Sequence, residues 1–402
     1  MAQKTKVGPH MQFDGFEGGR WLTQAPPSVA KFCTPKDGGF DNGARIAEID
    51  QCSEFTLAIG HPMLSDKIIL GTGLGEEYRA GYTPLQVATV YANKFLLPLA
   101  RAYLRIDFWE PYNEFEIDTD FPGFPLGDRG AEAQYRWYCE VCYETAKILW
   151  QQVGKRCALG AWATGRPNST DYPNWHLWMT PILRAVAEYG AIWSRHGYDQ
   201  SPNDAGAGGD PTAGGSLRYR DDLARFAAMG YPDIRCVITE CGWDWPPAHD
   251  RLNNIADYVP RYVAKLEMAM RADAHCLGAT LYTHGTGGVS RNSFNTADPK
   301  NVFVDAWIAW ANAHPLPDVP PIGPGDGSAA LAEDEYRITN CQAVNVREFP
   351  WCWSIEPPKV RIATAGEIVR VYAILRYGNM LRGWALIDAA GGQWVNAYYL
   401  GK

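Results

Sequence analysis

Short apolar or β-branched runs alternate along the first three-quarters of the chain with longer stretches of helical periodicity. Strand-like runs begin at Val7 (VGPHMQ), Val29 (VAKFCT), Lys67 (KIILGTG), Leu104 (LRIDFWE), Arg156 (RCALGAW), Ala191 (AIWSRHGY), Arg235 (RCVITE) and Cys276 (CLGATLY). Between them, stretches such as TPLQVATVYANKFLLPLARAY and ADYVPRYVAKLEMAMRADA repeat apolar residues at helical spacing. A last one, NVFVDAWIAWANAH, follows the eighth run. Strands alternating with helices predict βαβ units and a parallel sheet. Eight units in about 310 residues predict an α/β fold, a (β/α)8 TIM barrel over residues 1–313, with an open doubly wound sheet as the alternative.

The pattern breaks at His314. From there to Glu335 the chain is rich in Pro, Gly and acidic residues without periodicity (HPLPDVPPIGPGDGSAALAEDE), the composition of a linker. Residues 336–402 return to short strands between turn signals: AVNVRE, EIVRVYAIL, GWALID and QWVNAYYL. That predicts a small all-β barrel.

Composition narrows the function classes. The 402 residues are 46% hydrophobic and 20% charged, enough apolar content for a large core. A net charge of −8 argues against nucleic-acid binding, which needs basic patches. The chain has no apolar run of about 18 residues, so no membrane partner is expected. The opening MAQKTKVGPH lacks the apolar stretch of a signal peptide, so location is left open. Aromatic residues reach 13%, which fits either a large aromatic core or flat rings that stack on sugars. The ten cysteines are scattered in a chain too long to need a disulfide framework. Cys139 and Cys142 form a CxxC inside a helical stretch, and no second CxxC completes a zinc ribbon. GTGLG is not a GxGxxG fingerprint. No metal and no cofactor is expected.

In a barrel of this kind chemistry sits where strands end and the following loops begin. Strand four ends in WEPYNEFE and delivers Trp109, Asn113 and Glu114. Strand five ends at Trp162. Strand six ends in RHGYD, with His196 and Tyr198, and strand seven in ITECGWD, with Glu240 and Trp243. Strand one carries His10, strand two Lys31, and strand eight ends in LYTHGT with Tyr282 and His284. Two glutamates facing each other across a barrel mouth suit glycoside hydrolysis. One carboxylic acid protonates the leaving oxygen, while a second carboxylate attacks the anomeric carbon or activates water. Asn113 is placed to hydrogen-bond a sugar 2-hydroxyl, and Tyr198 to hold a carboxylate ionised. Glu110, on the strand body, reads as an internal ion-pair partner. Trp109, Trp162 and Trp243 are candidate sugar platforms or core.

These motifs resemble a large clan of retaining (β/α)8 glycoside hydrolases with Asn-Glu on strand four and Glu on strand seven. WEPYNE resembles its W-E-x-x-N-E signature, ITECG its T-E-x-G signature, and HGY a strand-six His-x-Tyr. The resemblance implies Glu114 as acid/base and Glu240 as nucleophile. The chain departs from the clan at strand two, with Lys31 where many members carry Arg, and at strand eight, where a Trp is common. AVNVREFPW, GEIVRVYAIL, GWALI and WVNAYYL resemble a bacterial SH3-type domain, which implies a cell-wall ligand for residues 336–402. The expectation is a retaining glycosidase acting on a β-linked glycan, with extracellular or cell-wall action. A cell-wall lysin acting on peptidoglycan glycan and an inactive glycan-binding protein are the alternatives.

Overall fold

The computed structural model describes residues 4–11, 18–34, 43–53, 55–62, 74–115, 128–167, 172–199, 215–243, 255–284 and 302–316. Between 334 and 401 it describes the backbone of eight further strands. The chain parts into two compact units, one of Met1–Trp150 with Arg156–Val319 and one of Pro320–Lys402 with the short segment Gln151–Lys155.

The first unit is a closed barrel of eight strands in sequential order. They are β1 (Val7–Met11), β2 (Val29–Cys33), β3 (Leu57–His61), β4 (Phe108–Trp109), β5 (Arg156–Trp162), β6 (Ile192–Asp199), β7 (Cys236–Trp243) and β8 (Cys276–His284). Every neighbouring pair is parallel, including β1 with β8, which closes the ring. β1, β2, β3, β5 and β7 are buried at every position. Helices cover one face and packed side chains fill the other, which is why these strands read as unbroken apolar runs.

Seven of the eight strands begin in the runs that the pattern predicts, with β6, β7 and β8 continuing one, three and two residues past them. The third is a correction. β3 is LAIGH, Leu57–His61, while the run at 67–73 lies outside the described residues. Gly60 sits mid-strand in β3, where a Cβ would come within 2.7 Å of the Trp109 ring.

The helices carry local signals. Pro84–Tyr91 starts with a capping box, Thr83 accepting from the Gln86 N–H and the Gln86 side chain answering the Thr83 N–H. It passes through a π turn, Ala92–Leu96, into Leu97–Ala102, where Pro98 has no N–H to give. Val259–Val263, which contains Pro260, is a second π turn, ahead of the helix Ala264–Arg271. Asp128–Val153 contains Cys139 and Cys142, both fully buried. The terminal helices Gly18–Gln24 and Val302–Ala313 meet through Trp21, whose ring lies 5.4 Å from Phe303 and 6.4 Å from Trp307.

The last helix ends at Ala313, where the linker composition begins. The linker gives way to β9 (Asp334–Ile338) two residues before the expected start of the second unit. There β10 (Ala343–Arg347), β11 (Lys359–Thr364), β12 (Ile368–Val371), β13 (Ala373–Arg376), β14 (Gly383–Asp388), β15 (Gln393–Asn396) and β16 (Leu400–Gly401) follow. They form a five-stranded sheet in the order β11-β10-β15-β14-β13 and a three-stranded sheet in the order β12-β9-β16, all antiparallel.

Candidate active site

Alternation along the strands decides which side chains enter the barrel. On β6, Ser194, His196 and Tyr198 point in, while Arg195 points out and pairs with Asp222 at 3.1 Å. On β7 Glu240 pairs in register with His196. β4 is only two residues long, so Glu110 and the segment Pro111–Phe115 leave it at the C-terminal mouth.

Glu114 is held by an unusual backbone. Its φ is +38°, Ala161 has +45° and Gly160 has +111°. The β5–β6 register slips between Leu159 and Trp162, a bulge that places Gly160 and Ala161 out of step. The bulge turns the Ala161 carbonyl to accept the Glu114 N–H at 3.0 Å. Non-glycine residues at positive φ are costly and concentrate at functional sites.

The two glutamates meet around His196. A carboxylate oxygen of Glu114, a ring nitrogen of His196 and a carboxylate oxygen of Glu240 lie within 4.8 Å of one another. His196 Nδ1 is 2.7 Å from Glu114 Oε1 and 3.5 Å from Glu240 Oε2. The Glu114 side chain is 37% exposed and that of Glu240 11%, so Glu114 faces the mouth and Glu240 lies deeper. These three groups could also ligate a divalent cation, though the short His196–Glu114 contact satisfies two of them without one.

Glu240 is surrounded by donors. Tyr198 donates to Oε2 at 2.9 Å and Lys31 to Oε1 at 3.0 Å, and His10 Nδ1 lies 3.9 Å from Oε1. Burial opposes its charge, but His196, Lys31 and His10 outweigh it and hold the carboxyl far below the ordinary range. Burial also pushes the Tyr198 hydroxyl well up, reinforced by the Glu240 charge, so it stays a donor. His196 is raised: burial disfavours its cation, yet Glu240 and the hydrogen bond to Glu114 win.

A second buried carboxylate lies behind this pair. Glu110 accepts from Lys31 at 2.6 Å and from Ser194 at 2.6 Å, and His61 Nδ1 lies 3.6 Å from it. Burial would neutralise Glu110, but Lys31 and His61 bring it down to about 2. His10 and His61 go the other way. Burial, then the Lys31 charge, lowers them to about 3 and about 4, so both stay neutral. Lys31 is held above its ordinary range because its two carboxylates outweigh burial.

The structure therefore brings Glu114, Glu240, His196, Tyr198, Lys31 and His10 together. Tyr282 joins them, its ring edge-on to His10 at 4.9 Å and 6.1 Å from Tyr198. Asn113 Oδ1 is buried without a hydrogen-bond partner among the described residues. Of the two readings open for the three tryptophans, sugar platform or core, burial favours core. Trp109 and Trp162 are 0% exposed and Trp243 1%. Trp162 packs against Tyr138 at 5.1 Å and Tyr135 at 5.3 Å, and the Arg261 guanidinium covers Trp243 at 5.4 Å. The His284 side chain lies outside the described residues. Sequence reasoning missed Cys33, whose sulfur is 3.0 Å from His10 Nε2, and His61 and Ser194 on Glu110. The available signal, for His61, was a polar residue at the C-terminal end of an apolar strand.

Chemically, the arrangement offers an ionised carboxylate fixed by two donor side chains, Tyr198 and Lys31, beside a more exposed carboxyl group at the C-terminal ends of the strands. Such a pair suits proton transfer combined with nucleophilic attack.

No family model matches the chain, and no curated protein does. Solved structures with a similar fold include a glucosidase from Croceicoccus marinus (TM-score 0.42, 11% identity, 78% of this chain and 68% of that one). Others are a glycoside hydrolase family 5 enzyme from Prevotella bryantii (0.41, 12%, 78% and 99%) and XacCel5A in complex with cellopentaose (0.46, 11%, 78% and 100%).

Proposed function

We propose that this chain is a glycosidase that cleaves a β-glycosidic bond in a glycan or polysaccharide by double displacement. The observation that carries the reading is the approach of Glu114 and Glu240, from the ends of β4 and β7, to within 4.8 Å between nearest ligand oxygens. Retaining pairs sit about 5–5.5 Å apart, and inverting pairs need about 6.5–9.5 Å to admit a water. Glu240 is the nucleophile, because its donors keep it ionised and its position is fixed from two strands. Glu114 is the acid/base, closer to solvent and to a leaving group. It protonates the departing oxygen, then takes the proton from the water that hydrolyses the glycosyl ester. Asn113 binds the sugar 2-hydroxyl with its unpaired Oδ1 or its amide, an interaction that strengthens toward the transition state. Tyr282 and His10 line the same wall.

Residues 336–402 read as an SH3-type module that tethers the barrel to a cell wall. The sequence AVNVR as β10 and the short antiparallel strands support that reading. It makes peptidoglycan glycan the first substrate to try.

The test is a panel of aryl β-glycosides and cell-wall preparations with wild-type chain and Glu240→Gln. The variant is expected to lose about 10³-fold or more in kcat, since it removes the nucleophile. NMR of the first-formed sugar is expected to show retained configuration. Sugar binding without turnover in the wild type would instead favour a glycan-binding protein, and inverted product would rule out double displacement.

A further inference from the structure

Lys31 is shared. Its Nζ donates to Glu110 Oε1 at 2.6 Å and to Glu240 Oε1 at 3.0 Å, with Lys31 and Glu110 fully buried. Glu110 is fixed from its other side by Ser194, and Ser194 lies 2.8 Å from the Thr239 hydroxyl. One buried ammonium with one carboxylate would already be neutral, so the second carboxylate calls for a reason.

The proposed reaction supplies one. When Glu240 attacks, a bond forms between its oxygen and the anomeric carbon. The bond to the leaving oxygen breaks, its electron pair departs with that oxygen, and Glu114 delivers the proton. Glu240 passes from a carboxylate to a neutral ester. If Glu240 were Lys31's sole counter-ion, the step would strand a buried cation, which is strongly unfavourable. Glu110 does not react and remains.

Resting on the glycosidase reading, we propose that Glu110 is a positioning residue that acts through Lys31. It divides the ammonium with Glu240, so the nucleophile is not over-stabilised, and it keeps Lys31 neutralised once Glu240 is esterified. Other groups also face Glu240: His10 from β1, Glu114 beyond β4, and His196 and Tyr198 from β6, while the neighbouring Cys241 on its own strand turns its thiol to the Thr280 carbonyl. Glu110 is faced by His61 on β3 and, at longer range, by His196. None of these is shared between the two carboxylates by direct hydrogen bonds as Lys31 is.

The full-length chain is assayed with an aryl β-glycoside by pre-steady-state and steady-state kinetics as wild type, Glu110→Gln, Glu110→Asp, Lys31→Met and Lys31→Met/Glu110→Gln. In Glu110→Gln, Lys31 turns wholly to Glu240. Formation of the glycosyl-enzyme is expected to slow about tenfold to a hundredfold, one tenfold for each pKa unit of lost basicity. Its hydrolysis does not slow, because Glu240 becomes the better leaving group. Glu110→Asp keeps the charge and the wild-type balance of steps. In Lys31→Met two buried carboxylates lose their cation, so the acidic limb of kcat/KM rises by more than about one pH unit. Adding Glu110→Gln brings the limb back down. A Glu110→Gln that slows both steps equally overturns the proposal, and so does a double variant whose limb stays with that of Lys31→Met. Should Lys31→Met not fold, the balance of steps in Glu110→Gln and Glu110→Asp decides alone. A wild type without turnover refutes the functional reading. In that case ¹³C-carboxyl titration of Glu240 in the same variants decides the inference, with the same directions expected and unmoved midpoints overturning it.

Discussion

Two buried histidines give the site a pH signature that can be read without any substrate. His10 and His61 are lowered to about 3 and about 4 from an ordinary 6.5, so the folded state releases protons that the unfolded chain would bind. The unfolded state therefore carries more protons between about pH 6.5 and 4. Their contribution is fully present above about pH 6.5 and is lost as pH falls toward the folded values. The slope approaches about 1.4 kcal/mol per pH unit for each histidine. Denaturant unfolding at pH 7, 6 and 5 is expected to show stability falling on this slope, and His61→Gln to remove about half of it. An unchanged slope in the variant would show that His61 is not the neutral buried group described. At this scale Glu240 and Lys31 were legible because a charge on an apolar strand stands out in the sequence, and Glu110 and Glu114 because both stand in the motif WEPYNE that begins at the last residue of β4. The His10–Cys33 contact was not, because its partners sit on different strands and a thiol looks like core. The three tryptophans stayed open between sugar platform and core for the opposite reason. An aromatic at a strand end looks the same in sequence whether its ring faces the mouth or the helices.

The bulge on β5 is the element that aims Glu114. Gly160, at φ +111°, lies close enough to β6 that a Cβ would come within 2.7 Å of the Ser194 carbonyl and 3.0 Å of Trp162 Nε1. Gly160→Ala must move backbone, and it strains a conformation open to glycine. The expected result is a loss of about 1–3 kcal/mol in stability. A fall in kcat larger than the change in KM should accompany it, because the Ala161 carbonyl that anchors Glu114 shifts. Thermal melts and steady-state kinetics check this, and a variant with lowered Tm but untouched kcat would detach the bulge from the site. The element scale also shows where the apolar pattern misled. KIILGTG is more apolar than LAIGH, yet LAIGH is β3, because a barrel strand needs a residue without Cβ opposite Trp109 and can end on a polar group at the mouth. His61 is that group, and its Nδ1 lies 2.9 Å from the Glu110 carbonyl oxygen. The π turns at Ala92–Leu96 and Val259–Val263 were likewise invisible to periodicity, since one extra residue in a turn barely disturbs a 3.6-residue count.

At the scale of the whole chain, the barrel closes on itself. β1 pairs with β8, and Trp21 of the first helix packs on Phe303 and Trp307 of the last. Lys6 reinforces the seam: its Nζ donates to the Asp273 and Cys276 carbonyls, and its N–H donates to the Glu267 carboxylate. All these partners lie before Val319. The strand pairing, ring contacts and hydrogen bonds that close the ring therefore all join described residues before Val319. A chain ending at Val319 is expected to keep the melting temperature of the barrel within a few degrees and most of its rate on a small soluble aryl glycoside. Binding to insoluble cell wall should fall, because a tether contributes by raising local concentration at a surface and adds nothing for a freely diffusing substrate. Melts, small-substrate kinetics and wall pull-down on the full and shortened chains measure all three. If melting temperature and small-substrate rate collapse together, residues 320–402 stabilise the barrel. If neither changes and wall binding is also untouched, those residues are not the wall-binding module, and the case for peptidoglycan glycan as first substrate goes with them.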